Sequence, residues 1–259
     1  MKGKTALITG SSNGLGLAMA RGLAAAGCNL VLHGLESPQE MTATCQAMER
    51  EHGVAVCYVR ADLTASDAVD VLIGDAQARM GGIDVLINNA VIRHFAPIED
   101  FPGERWDQAL AVNLTAAFRA IQLALPGMRA RGWGRIINMS SAYGSRAIAN
   151  RIDYVTTKTA LLGLTRAVAV ETQGQGITCN AVCPGSVLTP NIESRLTALM
   201  ADKQLDRDTA TREFLQGKQG TGRFVEAAHV ADLVVFLCSV SGTPITGATL
   251  PVDDGWLAN

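Results

Sequence analysis

"TALITGSSNGLGLAMARGLAAAG", residues 5–27, runs through three patterns in succession. An apolar segment with a β-branched centre reads as a strand. A turn of glycines and serines follows, and then an apolar-periodic stretch that reads as a helix ending at Gly27. Gly10, Gly14 and Gly16 have the spacing G-x3-G-x-G, which differs from the G-x-G-x-x-G of the common dinucleotide fingerprint. The physics is similar. Glycines allow a tight turn and close backbone approach, and the helix N-terminus offers unpaired N–H groups to a pyrophosphate. The first strand–helix unit is therefore expected to hold a nucleotide.

Outward from this unit the same alternation continues. Strand candidates lie at 5–9, 29–33, 55–59, 84–88, 135–139, 177–182 and 249–252, and helical segments at 14–26, 38–52, 65–80, 104–130, 153–173 and 226–239. Strands apolar on both faces and separated by helices predict βαβ units and a parallel sheet with helices on both faces. No repeat or low-complexity linker interrupts the pattern, so residues 1–259 read as a single α/β domain. Residues 186–222 depart from the rhythm, with helical pieces, no strand and many polar side chains. An insertion after a late strand of an α/β sheet often covers a ligand, which makes this stretch a candidate lid.

Bulk composition narrows the function. Hydrophobic residues make up 48% of the chain and the net charge is −2 with both signs scattered, which argues against a nucleic-acid surface. The six cysteines show no CxxC or Cys/His ligand spacing, so no metal site is expected and reduced thiols in a cytoplasmic protein are. The start "MKGKTALITG" runs straight into a strand-like segment, so no signal peptide is expected. No uninterrupted apolar stretch reaches about 18 residues, so no membrane span is expected.

"IDYVTTKTALLGL" (152–164) places Tyr154 and Lys158 four positions apart in a helical pattern, with both polar tips on one face. A surface tyrosine beside a solvated lysine is the bland reading. An acid–base pair is the sharper one, because a cation beside a phenol favours phenolate. The remaining motifs favour the second. The T-G-x3-G-x-G turn, "NNA" at 88–90, Asn113 in "LAVNLTAAF", Ser141 in "NMSSAYG" and Y-x3-K together resemble the short-chain dehydrogenase/reductases, over essentially the whole chain. The resemblance implies a Rossmann-type doubly wound parallel sheet of seven strands in the order 3-2-1-4-5-6-7, and a homotetramer. It also implies a catalytic set of Asn113, Ser141, Tyr154 and Lys158. Tyr154 is the base that takes the hydroxyl proton as hydride leaves an alcohol carbon. By the same resemblance Lys158 is expected to stabilise the phenolate and bond the nicotinamide ribose, Ser141 to meet the substrate oxygen, and Asn113 to hold a relay water.

By the same resemblance Gly10, Ser12, Asn13, Gly14, Leu15 and Gly16 hold the pyrophosphate side of the cofactor. Leu35, Asp62 and Leu63 lie at the adenosine, and Asn89 and Ala90 lie beside its ribose. Pro184, Gly185, Val187 and Thr189 join Tyr154 and Lys158 at the nicotinamide. Neither "SSN" (11–13) nor "HGLES" (33–37) offers an arginine or lysine to a 2′-phosphate, so NAD is expected rather than NADP. His33 reads as structural, and Glu36 lies just beyond the strand end. Val91 stands where the family usually has glycine.

Within the family, "APIEDFP", "LALPGMRARGWGRIIN", "ETQGQGITCNAVCPG" and "ITGATLPVD" resemble the 3-hydroxybutyrate dehydrogenases. The pocket positions differ from theirs. Arg93 replaces a glutamine, Tyr143 a histidine, Arg151 a lysine, Arg195 a glutamine and Ser186 a tryptophan, while Trp256 is kept and "DGG" has become "DDG" at Asp254. The expected substrate-binding set is Arg93, Ser141, Tyr143, Arg151, Tyr154, Ser186, Arg195 and Trp256. These changes predict a small anionic substrate, bulkier or more strongly anionic than 3-hydroxybutyrate. Candidates are a hydroxy acid, a sugar acid or a sulfonated or phosphonated alcohol or sugar, interconverted with its ketone or lactone. A genuine 3-hydroxybutyrate dehydrogenase and a 3-oxoacyl thioester reductase are the alternatives. A redox-sensing protein that holds NAD without turnover is a third, and the intact tyrosine–lysine pair counts against it.

Overall fold

The computed structural model describes residues 1–258. Seven strands form one sheet: β1 (Thr5–Ile8), β2 (Asn29–Gly34), β3 (Val56–Arg60), β4 (Val85–Asn88), β5 (Gly134–Met139), β6 (Ile177–Pro184) and β7 (Thr249–Val252). Their order is β3-β2-β1-β4-β5-β6-β7, and every neighbouring pair is parallel. The strand period of two explains why both faces are apolar. Ala6, Ile8, Leu30, Leu32, Val85 and Ile87 enter one core, while Leu7, Val31 and Leu86 enter the other.

Helices α1 (Gly14–Ala25), α2 (Pro38–His52) and α3 (Ala68–Met80) connect the first four strands. The segment expected as one helix at 104–130 is α4 (Gly103–Leu110), a π-helical turn at Ala111–Thr115, and α5 (Ala116–Arg131). In that turn Ala116 N–H donates to Ala111 O, five residues back. By length and composition Gly103–Arg131 could cross a membrane. Here Ala116, Ala120, Ile121 and Ala124 pack into the second core, and Arg119 pairs with Asp70 of α3. Helix α6 (Ile152–Glu171) precedes β6, and α9 (Ala227–Cys238) packs against α1.

The stretch expected as a lid holds α7 (Pro190–Lys203) and α8 (Arg207–Leu215), capped by the side chains of Thr189 and Asp206. Its two ends are fastened together. Gln219, 5% exposed, accepts from Ser186 N–H at 2.7 Å and donates to Arg223 O at 2.6 Å. Val225 N–H donates to Ser186 O at 2.9 Å. Asp254 sits in the left-handed region at φ 54, where the subfamily pattern has glycine, and its carboxylate accepts from Thr221 N–H at 2.8 Å. Aspartate tolerates this conformation better than most residues, and here it ties the C-terminal segment to the lid.

Strand order reverses between β1 and β4, and ligands of open α/β sheets sit outside such a point. A latch closes its base. Thr9 Oγ1 accepts from the N–H groups of Asn89 and Ala90, and Asn89 Nδ2 donates to the carbonyls of Thr9 and Gly10. His33 pins the same turn, accepting from Gly10 N–H at Nδ1, which leaves Nε2 to donate to Ala61 O at 3.1 Å. Both ring nitrogens are committed in the neutral form, and burial lowers the pKa of His33. This is the structural role expected for it.

Gly16 is where the turn tolerates no side chain. A Cβ there would lie 2.1 Å from Gly10 O and 2.7 Å from Asn89 Nδ2. At Gly74 in α3 a Cβ would meet nothing within 4 Å. Gly16→Ala is expected to lower the melting temperature and abolish nucleotide binding. Gly74→Ala is expected to leave binding intact and to stabilise the fold by up to about 1 kcal/mol. Thermal melts with and without nucleotide check both, and equal behaviour of the two variants would contradict the packing described.

Candidate active site

A continuous cleft of about 770 Å³ runs along the C-terminal ends of the strands, from the glycine turn to the lid. Of the residues expected at the site, all but Asn113 line it. The half nearest the glycine turn suits the adenosine and pyrophosphate of a dinucleotide. Gly10, Ser12, Asn13, Gly14, Leu15 and Gly16 form its floor, and Leu35, 62% exposed, offers an apolar face at the mouth beside Leu63. The Asp62 carboxylate is held by Thr64 through its N–H at 3.0 Å and its hydroxyl at 2.8 Å. Val91 stays in the wall, half-buried.

Glu36, just beyond the end of β2, also lines this half. Partial burial opposes its ionisation, but hydrogen bonds from its own backbone, Ser12, Leu35 and Asn13 outweigh that and hold its carboxyl below the usual range. Its Oε2 is buried with no partner among the described residues. A carboxylate at this end of the cleft suits a ribose hydroxyl.

In the central part, α6 carries Tyr154 and Lys158 side by side. Lys158 is 3% exposed and donates from Nζ to Met139 O at 2.6 Å. Burial, with a smaller contribution from Arg93, lowers its pKa from 10.5 to about 7. Three cations surround the Tyr154 ring: Arg151 at 4.9 Å, Arg93 at 5.5 Å and Lys158 Nζ at 5.6 Å from its centroid. The two adjacent serines have different tasks. Ser140 Oγ donates to Lys158 O at 2.7 Å, which locks β5 to α6. Ser141 Oγ accepts from Tyr143 N–H at 3.2 Å and lies on the cleft wall.

Asn113 lies behind that wall, 2% exposed, in the π-helical turn. Its Oδ1 accepts from Ile92 N–H at 2.9 Å, and its Nδ2 donates to Ile92 O at 3.0 Å and Thr157 Oγ1 at 3.2 Å. The side chain is therefore a clamp on the loop after β4. Asp153 is a second clamp, which sequence reasoning missed. Fully buried, it accepts from Tyr154 N–H at 2.6 Å and from both N and Nδ1 of His94, at 3.0 and 3.1 Å. An acidic residue in the first turn of a helix is ordinary, so only the fold reveals this use.

At the lid end stand Arg93, Arg151, Arg195, Tyr143, Ser186 and Trp256, with Phe95, Phe214 and Lys218, which were not singled out from sequence. Tyr143 packs edge-on against Trp256 at 5.0 Å and against Tyr154 at 6.3 Å. Arg195 keeps solvent exposure at the lid, whereas Arg151 is 7% exposed.

The sequence matches the short chain dehydrogenase family over residues 4–199. The chain belongs to that family. It is 41% identical to a D-beta-hydroxybutyrate dehydrogenase of Cupriavidus necator, over all of this chain and 99% of that one. A D-beta-hydroxybutyrate dehydrogenase of Rhizobium meliloti is 38% identical, covering 98% and 99%. Among solved structures, L-sorbose reductase from Gluconobacter frateurii, complexed with NADPH and L-sorbose, superposes with a TM-score of 0.95 at 31% identity, covering 100% of this chain and 98% of that one. As a short-chain dehydrogenase the chain is an oxidoreductase acting on alcohol groups, built on a fold that binds pyridine nucleotides.

The short-chain dehydrogenase core thus contains a buried lysine whose charged form is disfavoured in the folded state. The sign follows from linkage. With its pKa lowered from 10.5 to about 7, the folded state binds fewer protons than the unfolded state between those values, so stability rises with pH there. Wild type is expected to gain stability relative to Lys158→Met as pH rises from about 7 to 10, measured by urea unfolding at each pH. Parallel profiles for the two proteins would contradict the burial described.

Proposed function

We propose that this short-chain dehydrogenase is an NAD-dependent enzyme that interconverts a secondary alcohol and its ketone or lactone. Its substrate is small and anionic, bulkier or more strongly charged than 3-hydroxybutyrate. The observation that carries the reading is the Tyr154 ring flanked by Lys158, Arg93 and Arg151 on the wall of a nucleotide cleft.

When bound, NAD supplies the hydride acceptor. The chain's own residues handle the proton and the orientation. Tyr154 Oη takes the hydroxyl proton, and the surrounding cations stabilise the negative charge that then forms on the phenol. Ser141 Oγ hydrogen-bonds the substrate oxygen and aligns it with Tyr154. Lys158, released from Met139 O, can turn its ammonium to the cofactor ribose. Asn113 and Asp153 act as positioning residues. They hold the loop bearing Arg93 against α6, so that the anion-binding and proton-accepting groups keep a fixed spacing. The lid, with α7 and α8, closes over the substrate end and excludes water.

NAD is favoured by the Glu36 carboxylate, which can accept from a ribose hydroxyl and would repel a 2′-phosphate. Arg60, at the end of β3, donates its Nε to Leu35 O at 2.9 Å and does not line the cleft. A homotetramer fits the exposed apolar side chains on α5 and α6, Phe118 and Val170, which are 50% and 64% exposed.

Turnover followed at 340 nm with a panel of hydroxy acids tests the reading. We expect kcat/KM to favour NAD over NADP, and Tyr154→Phe to lower kcat by about 10²–10⁴-fold or more while NAD binding changes little. Retention of wild-type rate by Tyr154→Phe would overturn the mechanism, and a ratio favouring NADP would overturn the cofactor assignment.

A further inference from the structure

Four cations reach the lid end of the cleft from four places in the chain. Arg93 comes from the loop after β4, Arg151 from the residue before α6, Arg195 from α7 and Lys218 from the turn after α8. Aromatic rings stand between them. Lys218 Nζ lies 4.2 Å from the Phe214 centroid, and Arg195 lies 5.1 Å from the same ring. Arg195 and Arg151 share Phe95, at 5.5 and 4.0 Å, and Arg151 and Arg93 share Tyr154. Cation and ring thus alternate from the lid to the catalytic phenol. Each ring face attracts the cations beside it and keeps them apart.

The rings do not supply the counter-charge. None of the three guanidiniums has a hydrogen bond or ion pair among the described residues, and the ammonium of Lys218 is bonded only to Phe214 O. Arg151 is more than nine-tenths buried, and its Nε has no acceptor. The acidic side chains of the cleft, Glu36 and Asp62, lie at the adenosine end, and Asp153 beside Arg151 is committed to His94 and Tyr154 N–H. Mutual repulsion is felt within the cluster. Burial first, and then Arg93, lowers the pKa of both Arg151 and Arg195.

We infer that this cluster recognises a tetrahedral oxyanion on the substrate, a sulfonate, phosphonate or phosphate ester, in preference to a carboxylate. The inference rests on the dehydrogenase reading above. A carboxylate is planar with two oxygens, and two guanidinium forks satisfy it. A third arginine and a lysine would then remain without a partner. A tetrahedral head carries three outward oxygens, one for each arginine arriving from a different side, with Lys218 supplying further charge. Such a head also joins floor to lid, because Arg93 and Arg151 belong to the first and Arg195 and Lys218 to the second.

The test uses three ligands that differ only in the anionic group: 3-hydroxybutyrate, 2-hydroxypropane-1-sulfonate and 2-hydroxypropane-1-phosphonate. Their binding to the full-length protein is measured by calorimetry with NADH present, where the alcohols cannot turn over. We expect the sulfonate or the phosphonate to bind at least tenfold more tightly than the carboxylate. Arg93→Gln and Arg195→Gln should each remove most of that preference while circular dichroism shows an intact fold. A tighter phosphonate marks a doubly charged head and a tighter sulfonate a singly charged one, and either upholds the inference. Equal or tighter binding of the carboxylate, no binding of any of the three, or a preference unmoved in the arginine variants would overturn it. Tight sulfonate or phosphonate binding without reduction of NAD or NADP would instead count against the dehydrogenase reading alone.

Discussion

A buried ammonium on a main-chain oxygen, Lys158 Nζ on Met139 O at 2.6 Å, is the contact on which the site depends. It joins the last residue of β5 to the second turn of α6. Ser140 Oγ on Lys158 O strengthens the same junction, and a Cβ at Gly144 would lie 2.5 Å from Ser140 Oγ, so the turn must press close to the helix. With the crossover locked in this way, Ser141 at the end of one element and Tyr154 on the other share one wall. Burying a lysine in this setting is unfavourable for its charge. The fold tolerates it because the carbonyl and the nearby Tyr154 ring partly replace water.

Charge is distributed unevenly along the cleft. The end at the glycine turn carries the carboxylates of Glu36 and Asp62, and the opposite end carries Arg93, Arg151, Arg195 and Lys218. Leaving a desolvated charge unpaired is costly, and Arg151, 7% exposed, is the cation for which that cost is greatest; on the proposed reading an anionic ligand offsets it. The fasteners at the edge of the cleft serve the same end. Gln219 and Asp254 hold the lid base, and Asp153 and Asn113 hold the loop of Arg93. Each satisfies main-chain groups that would otherwise be orphaned by irregular backbone.

Much of this was legible in the chain itself, because its signals are local. Strand period, glycine spacing and the four-residue interval of Tyr154 and Lys158 each act within a turn or two, and all seven strands fall within two residues of their expected bounds. The exceptions are non-local. Helix α3 starts at Ala68 and not near 65, because Ala65 N–H closes a turn onto Asp62 O. The π-helical turn interrupts a segment whose apolar period looks continuous. Glu36, Asp153 and Lys218 gain their roles only from partners brought in by the fold: Ser12 and Asn13, His94, and Phe214. Asn113 was expected from a motif, but its place behind the wall was not, since a motif records identity and not direction.

The central claim is that positive charge at the lid end selects the substrate. Its most direct test is a matched pair of alcohols of equal shape, 3-hydroxybutyrate and 3-hydroxybutyramide, compared by kcat/KM under identical cofactor conditions and at low ionic strength. We expect the uncharged amide to be poorer by about 100-fold or more, as loss of a desolvated charge partner of a few kcal/mol implies. Equal kcat/KM for the two would contradict the claim.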